Sequence, residues 1–245
     1  MELLVSVRDA AEAVAALAGG ADIVDAKEPE AGALGAVRPQ VLAAIRGVVP
    51  VGVPLSAAGG DIATTADLER SLAAIEVPLG FVKLGFRGVG DAGMAERLLS
   101  LAVQRAERLP GRPAVIAVAY ADWRRAGGPP PESFPALIHR AGARGLLIDT
   151  AVKDAGTLGD FLPADALLAL GRALKHLGLG YALGGSLDRR DVPLARAAGA
   201  DILGVRGAVC VGGRNGRVDP ALVRSLAALV GQGERESALP GSPGR

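Results

Sequence analysis

Short apolar runs alternate along the chain with longer segments rich in Ala, Leu and Arg, whose apolar positions recur with a helical period. The runs predict eight strands and the segments between them predict seven helices, with an eighth helix near residues 217–230. The predicted strands cover residues 2–6, 22–26, 51–56, 80–84, 113–119, 144–149, 179–184 and 201–205. This regular alternation indicates an α/β fold, a single-domain (β/α)8 TIM barrel over residues 1–230.

A weak internal repeat supports this assignment of strands and helices. The segments Ala18-Gly-Gly-Ala-Asp-Ile23, Ala141-Gly-Ala-Arg-Gly-Leu146 and Ala198-Gly-Ala-Asp-Ile202 each resemble a helix end that passes into a strand. The main alternative is an open doubly wound sheet, which is disfavoured because no Gly-rich fingerprint follows the first strand. Residues 231–245 lack apolar periodicity and predict a flexible C-terminal tail.

The composition limits the classes of partner. The 245 residues carry a net charge of +1 and only 3% are aromatic, so neither a basic surface nor a set of base-stacking rings is indicated. No apolar run reaches the roughly 18 residues of a membrane span. We therefore expect a small-molecule ligand and no nucleic-acid or membrane partner. The expected assembly is a homo-oligomer, of a size that the sequence does not give.

Few residues of this chain are suited to metal or redox chemistry. Cys210 is the single cysteine, which excludes an internal disulfide, and the N-terminal residues do not form a signal peptide, so a cytoplasmic location is expected. His139 and His176 fall in predicted helices away from the expected site. No metal site and no cofactor are predicted.

The lysines are the most informative residues of the chain. Only four of the 27 basic residues are lysine, and Lys27, Lys83 and Lys153 each end or follow an apolar run. Arginine supplies positive charge but no neutral amine, so lysines retained at these positions suggest amine chemistry, such as a Schiff base with a carbonyl substrate. The alternative is that they serve only as charges that bind an anion.

The barrel arrangement predicts that several charged side chains converge. Asp25 and Lys27 share one face of the second strand, and they must point into the barrel because the other face packs against helices. Lys83 and Asp149 end the fourth and sixth strands, and residues of alternate strands share a layer of a barrel. A catalytic cluster of Lys27, Lys83, Asp25 and Asp149 is therefore predicted. A buried network of salt bridges without chemistry is the alternative.

The last two predicted strands end in glycine-rich turns. Loops after strands seven and eight commonly bind phosphate in such barrels, so Gly185, Ser186, Arg206 and Gly207 are predicted to bind a substrate phosphate. The segment from Gly212 to Gly216 would form a second lip of this pocket. After the fifth strand, Tyr120 and Asp122 reach the same end, where they could position substrate or transfer protons.

Several of these strings together resemble the (5-formylfuran-3-yl)methyl phosphate synthase family, also described as 4-(hydroxymethyl)-2-furancarboxaldehyde-phosphate synthase. The resemblance extends in order from residue 1 to about residue 230. It is strongest in Asp25-Ala-Lys-Glu-Pro29 and Asp149-Thr-Ala-Val-Lys-Asp154, with support from Leu3-Leu-Val-Ser6, Val82-Lys-Leu-Gly85, Tyr120-Ala-Asp122, Ala182-Leu-Gly-Gly-Ser186 and Gly204-Val-Arg-Gly-Ala208. The chain departs from the family at Ile62-Ala-Thr-Thr65, which replaces a longer segment that contains proline.

The resemblance implies a barrel lyase that joins two molecules of glyceraldehyde 3-phosphate into a phosphorylated furan aldehyde, a precursor of methanofuran, which is a one-carbon carrier. It assigns the Schiff base to Lys27, and proton transfer or substrate binding to Asp25, Lys83, Asp149 and Lys153. Two other functions stay open from the residues alone. One is a different Schiff-base phosphosugar aldolase or isomerase, and the other is a barrel that binds a phosphorylated ligand without catalysis.

Overall fold

The structure, a computed structural model, describes residues 1–152 and 156–236, with side chains described through Gly231. In this part of the chain, eight parallel strands form a closed barrel in chain order, and the first strand also pairs with the eighth. The barrel strands are β1 (Glu2–Val7), β2 (Ile23–Ala26), β3 (Leu55–Asp61), β4 (Phe81–Gly85), β5 (Ala114–Tyr120), β6 (Gly145–Asp149), β7 (Gly180–Leu183) and β8 (Ile202–Val205). The predicted (β/α)8 barrel is confirmed, and an open doubly wound sheet is excluded.

Helices surround the barrel, and short additional elements enlarge three of the loops. The helices are α1 (Ala10–Gly19), α2 (Pro39–Val48), α3 (Thr65–Ala73), α4 (Ala92–Ala106), α5 (Trp123–Ala126), α6 (Phe134–Ala141), α7 (Leu158–Phe161), α8 (Ala164–His176), α9 (Val192–Ala197) and α10 (Pro220–Glu236). The short helices α5 and α7 lie in the loops after β5 and β6, and an antiparallel pair, β9 (Cys210–Val211) and β10 (Arg217–Val218), follows β8. All three loops follow carboxyl ends of strands, where barrel enzymes hold their active sites.

The third strand lies later in the chain than predicted. The apolar residues from Val51 to Pro54 predicted its start, but Val51 is fully exposed and Val53 donates its N–H to Pro50 in a turn. Pro54 lacks an N–H for a strand ladder, so pairing begins at Leu55. The connection to α3 is consequently short, and its Ile62 is completely buried.

The last helix packs closely against the first. A Cβ atom at Gly19 would lie 2.4 Å from Cβ of Val223, so this contact between α1 and α10 requires glycine. The final helix continues to Glu236, six residues into the segment from residue 231 for which a tail is expected. Residues 237–245 lie outside the described residues.

Successive side chains of a strand face two different buried regions, the apolar layer under the helices and the interior of the barrel. Leu3, Val5 and Val7 of β1 belong to the apolar layer between the strands and the helices, whereas Ser6 faces the barrel interior. On β8, which pairs with β1, Gly204 is an inward position without a side chain, and so is Gly184, which directly follows β7. Small residues here leave the interior partly open instead of filled by side chains. None of the helices in the described part of the chain is long and apolar enough to cross a membrane.

Candidate active site

A cavity of about 590 Å³ extends from the carboxyl ends of the strands into the barrel interior. This volume is within the range of small-molecule sites. One part of its wall is polar, with the side chains of Ser6, Lys27, Ser56, Lys83 and Asp149. The loops after β7 and β8 form another part of the wall. Three residues predicted for catalysis therefore line the same cavity as the residues predicted for phosphate binding, and these three are Lys27, Lys83 and Asp149.

Four of the predicted catalytic residues meet as two ion pairs. The Nζ atom of Lys83 lies 2.6 Å from Oδ2 of Asp25, and the Nζ atom of Lys27 lies 3.5 Å from Oδ2 of Asp149. All four side chains are at most 8% exposed. Asp25 therefore contacts the lysine of β4, although Lys27 is only two residues away along β2. These pairs therefore depend on which inward side chains meet in the folded barrel, and not on which residues are close in the sequence.

Two serines that sequence reasoning missed belong to the same layer as Asp25. Ser6 of β1 and Ser56 of β3 are the register partners of Asp25 on either side. The Oγ atom of Ser6 donates to Oδ2 of Asp25 at 2.7 Å, so this oxygen accepts from both a hydroxyl and an ammonium group. Small polar residues at inward positions of strands one and three were the signal that could have identified them.

Asp149 is fixed by its own backbone and lies next to Tyr120. Its Oδ1 atom accepts the N–H of Thr150 at 2.8 Å, while Oδ2 faces Lys27. Tyr120 is the register partner of Asp149 on β5, and its hydroxyl donates to Oδ1 of Asp61 at 2.6 Å. Burial, and then the nearby charge of Asp61, raise the pKa of Tyr120 well above its ordinary value. The phenol is therefore neutral and engaged with Asp61, and Tyr120 is absent from the described residues that line the cavity.

Asp122 holds the loop after β6. Its Oδ1 accepts the N–H of Ala151 at 2.7 Å and its Oδ2 accepts the N–H of Val152 at 3.0 Å. The Nη2 atom of Arg87 adds a hydrogen bond of 2.9 Å to the carbonyl of Ala151. Both carboxylate oxygens thus accept hydrogen bonds from main-chain N–H groups. Asp122 therefore fits the role of a loop anchor better than the predicted role of a substrate contact. Lys153, the next residue of this loop, lies outside the described residues.

The loop after β7 has an unusual backbone. Gly185 has φ of 96° and Ser186 has φ of 60°, a region that residues with a side chain rarely adopt. Ser186 and Arg112 are the two such residues other than glycine in the described part of the chain. A Cβ atom on Gly185 would lie 3.1 Å from Cγ2 of Thr150, so the loop packs tightly on the end of β6. Strain of this kind commonly marks a functional loop.

Backbone donors in the two glycine loops are free to bind an anion. Among the described residues, the N–H groups of Gly185, Ser186 and Gly207 have no hydrogen-bond acceptor. All three residues line the cavity. Unpaired N–H groups in the wall of one cavity offer donors for a phosphate group.

Arg206, which was predicted to bind phosphate, has a different arrangement. Its Nε donates to the carbonyl of Arg214, its Nη1 to Ser6 and Glu12, and its Nη2 to Glu12 and Gly216, at 2.7–3.3 Å. These contacts use all five N–H donors of the guanidinium group. The ion pair with Glu12 is almost completely buried. Arg206 therefore holds the segment after β8 against the barrel, and its donors are not available to a ligand.

The segment from Gly212 to Gly216 lies at the rim of the cavity, as expected for a second lip. Arg214 lines the cavity, and its Nη2 donates to the carbonyls of Pro29 at 2.9 Å and Gly32 at 2.8 Å. These bonds connect the hairpin after β8 with the loop after β2. Arg214 lies within the segment that was predicted as this lip, although no role was assigned to its side chain. Glu12 was missed, and its position on the buried face of α1 was the signal that could have found it.

The remaining candidate residues lie away from the cavity. His139 on α6 and His176 on α8 are exposed. Cys210 is buried, and burial raises the pKa of its thiol. In residues 1–152 and 156–236, no group of three or more His, Cys, Asp or Glu side chains has the arrangement of a metal site.

Several solved structures share the fold. They include KGPDC from Streptococcus mutans, with a TM-score of 0.64 and 10% identity over 94% of this chain and 97% of that chain. A 3-hexulose-6-phosphate synthase has a TM-score of 0.60 and 18% identity over 94% of this chain and 100% of that chain. At such low identity these structures establish the barrel fold alone.

Sequence comparison is more specific. A family model described as 4-HFC-P synthase matches residues 3–227. A protein of Methanocaldococcus jannaschii named (5-formylfuran-3-yl)methyl phosphate synthase is 38% identical over 94% of this chain and 99% of that relative. The protein of the same name from Methanothermobacter thermautotrophicus is 37% identical, with the same coverage of both chains. Because the family model and these relatives span nearly the whole barrel, the chain belongs to the 4-HFC-P synthase family.

Proposed function

We propose that this protein is a lyase that condenses two molecules of glyceraldehyde 3-phosphate to (5-formylfuran-3-yl)methyl phosphate, with loss of phosphate and water. The reaction proceeds through a Schiff base on Lys27 and serves methanofuran biosynthesis, a part of one-carbon metabolism. The product is the one in the name of the relatives. The observation that carries the proposal is the pair of buried lysine–carboxylate contacts in a cavity whose other wall offers backbone N–H groups.

Lys27 supplies the amine in this reaction. The neutral amine adds to the aldehyde carbon of one triose phosphate, and loss of water leaves an iminium ion. The iminium withdraws electrons from the adjacent carbon, which then loses a proton and attacks the aldehyde of the second triose phosphate. Elimination of phosphate, ring closure and loss of water complete the furan and release Lys27.

Proton transfers in this sequence require groups that lie beside the amine. Asp149 is suited to accept and return protons because its Oδ2 lies 3.5 Å from Nζ of Lys27. Lys83, held at 2.6 Å by Asp25, can donate to a hydroxyl or carbonyl oxygen of the substrate. Lys153 is proposed to join this group, on the basis of its position in the family motif.

The substrate phosphate binds to the loops after β7 and β8. Gly185, Ser186 and Gly207 offer N–H groups there, and glycine lets the anion approach the backbone closely. Arg206 supports the loop after β8 from behind, because it donates to the carbonyls of Arg214 and Gly216. Asp122 holds the loop after β6 in the same way through Ala151 and Val152. In this arrangement the phosphate end of the substrate lies opposite the two lysines, which leaves the aldehyde directed towards them.

Gly185→Val is expected to raise the apparent KM for glyceraldehyde 3-phosphate at least about tenfold, or roughly 1.4 kcal/mol of binding. The added side chain would crowd Thr150 and displace the loop from the phosphate. Gly178→Val is the matched control, since Gly178 has φ of 67° and open space around it at the other end of the barrel. Steady-state kinetics of both variants separate loss of binding from backbone strain. An unchanged KM in Gly185→Val would place the phosphate elsewhere.

Product analysis tests the proposed function. The purified protein is incubated with glyceraldehyde 3-phosphate, and near-ultraviolet absorbance, mass spectrometry and phosphate release are followed together. A furan aldehyde absorbs in the near ultraviolet, and its formation with release of phosphate is the expected result. An open-chain sugar phosphate would instead indicate another Schiff-base aldolase or isomerase, and binding without turnover would indicate a barrel without catalytic function.

The setting of the reaction is also part of the proposal. The chemistry uses only amino-acid side chains, so we propose that no cofactor takes part. The single cysteine fits an enzyme of the cytoplasm. Assembly as a homo-oligomer is proposed as well, and size-exclusion chromatography with light scattering measures it.

A further inference from the structure

Two deeply buried polar atoms beside the lysines have no hydrogen-bond partner among the described residues. They are Oδ1 of Asp25 and Oγ of Ser56. Asp25 is 0% exposed and Ser56 is 1% exposed. The other carboxylate oxygen of Asp25 contrasts with Oδ1, because it accepts from both Lys83 and Ser6. One side of this carboxylate is thus fully bonded, and the other side is unpaired next to an unpaired hydroxyl.

The two residues are neighbours in the sheet. Asp25 of β2 and Ser56 of β3 are register partners, and both side chains point into the barrel. Side chains of partners on adjacent strands stand about 5 Å apart. The two oxygen atoms make no direct hydrogen bond, and at this strand spacing one water oxygen between them can make a hydrogen bond of about 2.8 Å to each.

Leaving both atoms unpaired would be costly. An unsatisfied buried polar group has lost its bonds to water without gaining others, and the cost is higher when the group is charged. Buried water molecules commonly satisfy such groups and make about three hydrogen bonds each. Ser56 also lines the cavity, whereas Asp25 lies behind it, so a water molecule can reach this position from the substrate side.

We propose that Asp25 and Ser56 form a binding site for one water molecule, which donates to Oδ1 of Asp25 and accepts from the hydroxyl of Ser56. The water completes the bonding of the carboxylate and holds it in the orientation in which Oδ2 meets Lys83. Ser56 is therefore a positioning residue that acts on Lys83 through the water and Asp25. Its effect on catalysis rests on the proposed function, whereas the water site itself does not.

A crystal structure tests the water site directly. In the wild-type protein at a resolution that shows ordered water, electron density is expected within hydrogen-bond distance of both Oδ1 of Asp25 and Oγ of Ser56. The density should weaken or disappear in Ser56→Ala. Its absence from the wild-type protein overturns the proposal. The proposal is also overturned if an oxygen atom occupies this position only in crystals of the borohydride-reduced substrate adduct. The position then belongs to a hydroxyl group of the substrate.

Kinetics test the positioning role. Ser56→Ala is expected to lower kcat about tenfold, the equivalent of one lost hydrogen bond, with KM within about twofold of the wild-type value. Ser56→Thr keeps the hydroxyl and should recover most of the activity. Ser100→Ala is the matched control, since Ser100 lies on α4, away from the cavity, and its hydroxyl donates to the carbonyl of Glu96. A Ser56→Thr variant as slow as Ser56→Ala would overturn the positioning role, and so would an unchanged kcat in Ser56→Ala.

The two measurements separate failure of this inference from failure of the proposed function. If the wild-type protein forms no furan aldehyde from glyceraldehyde 3-phosphate, the proposed function is wrong, and the crystal structure still decides the water site. If Ser56→Ala does not fold, the comparison of wild type with Ser56→Thr, together with the wild-type electron density, remains decisive.

Discussion

Lys27→Arg is expected to abolish formation of the furan aldehyde while the protein stays folded. Arginine retains the positive charge that faces Asp149 but cannot supply a neutral amine, so no iminium ion can form. We expect kcat to fall at least about a thousandfold, which corresponds to more than about 4 kcal/mol of activation free energy. A lysine that only attracts the phosphate group would instead leave substantial activity in this variant. Steady-state kinetics with glyceraldehyde 3-phosphate measure the difference.

Lys175→Arg is the matched control for this substitution, because Lys175 is exposed on α8 and should tolerate the change without loss of activity. Chemical trapping locates the nucleophile independently. Borohydride reduction of the wild-type protein in the presence of substrate should leave an adduct on the peptide that contains Lys27. An adduct on Lys83 or Lys153 would keep the Schiff base and change its residue, whereas no labelled lysine would refute the covalent mechanism.

Asp149→Asn is expected to lower kcat by between about a hundredfold and ten-thousandfold, the range for loss of a positioned acid or base. The amide oxygen can still accept the N–H of Thr150, and the side-chain volume is nearly unchanged. The charge beside Lys27 is lost. Kinetics and a thermal unfolding experiment on the same preparation measure the two effects, and Tm should stay within a few degrees of the wild-type value.

The matched control is Asp201→Asn, in which the same chemical change occurs at the other end of the barrel. The Asp201 carboxylate accepts the N–H of Tyr181 at 2.8 Å and has no contact with the lysines among the described residues. This variant should keep its activity. Unfolding of Asp149→Asn with little loss of specific activity in the folded fraction would mean that the Lys27–Asp149 pair holds the structure together and has no part in proton transfer.

The loop after β8 shows why a motif can indicate the right region and the wrong atoms. The Arg206–Gly207 turn was expected to bind phosphate through both residues, and the segment does line the cavity. Yet the guanidinium group is fully bonded to Glu12 and to three carbonyls. Glu12 is far from Arg206 in the sequence and follows β1 on α1. Only the closure of the barrel, which pairs β1 with β8, brings them together.

The same limit applies to Tyr120 and Asp122. Both follow the fifth strand at the expected end of the barrel, and their types suit proton transfer or substrate binding. The hydroxyl of Tyr120 is committed to Asp61 at the end of β3, and both oxygens of Asp122 bind the main chain after β6. Which hydrogen bonds a polar side chain makes depends on neighbours from other strands, and a motif within one segment does not contain that information.

The sequence by itself determined the barrel, because alternation between strand and helix periods is a local property that each segment carries on its own. It also determined that Asp25, Lys27, Lys83 and Asp149 share the barrel interior, since the side-chain period of a strand directs them there. Only the tertiary structure decided that Lys83 pairs with Asp25 and Lys27 with Asp149, and that Ser6 and Ser56 flank Asp25. Those contacts follow from the register between strands and the curvature of the closed sheet, which arise when the whole chain packs around one core.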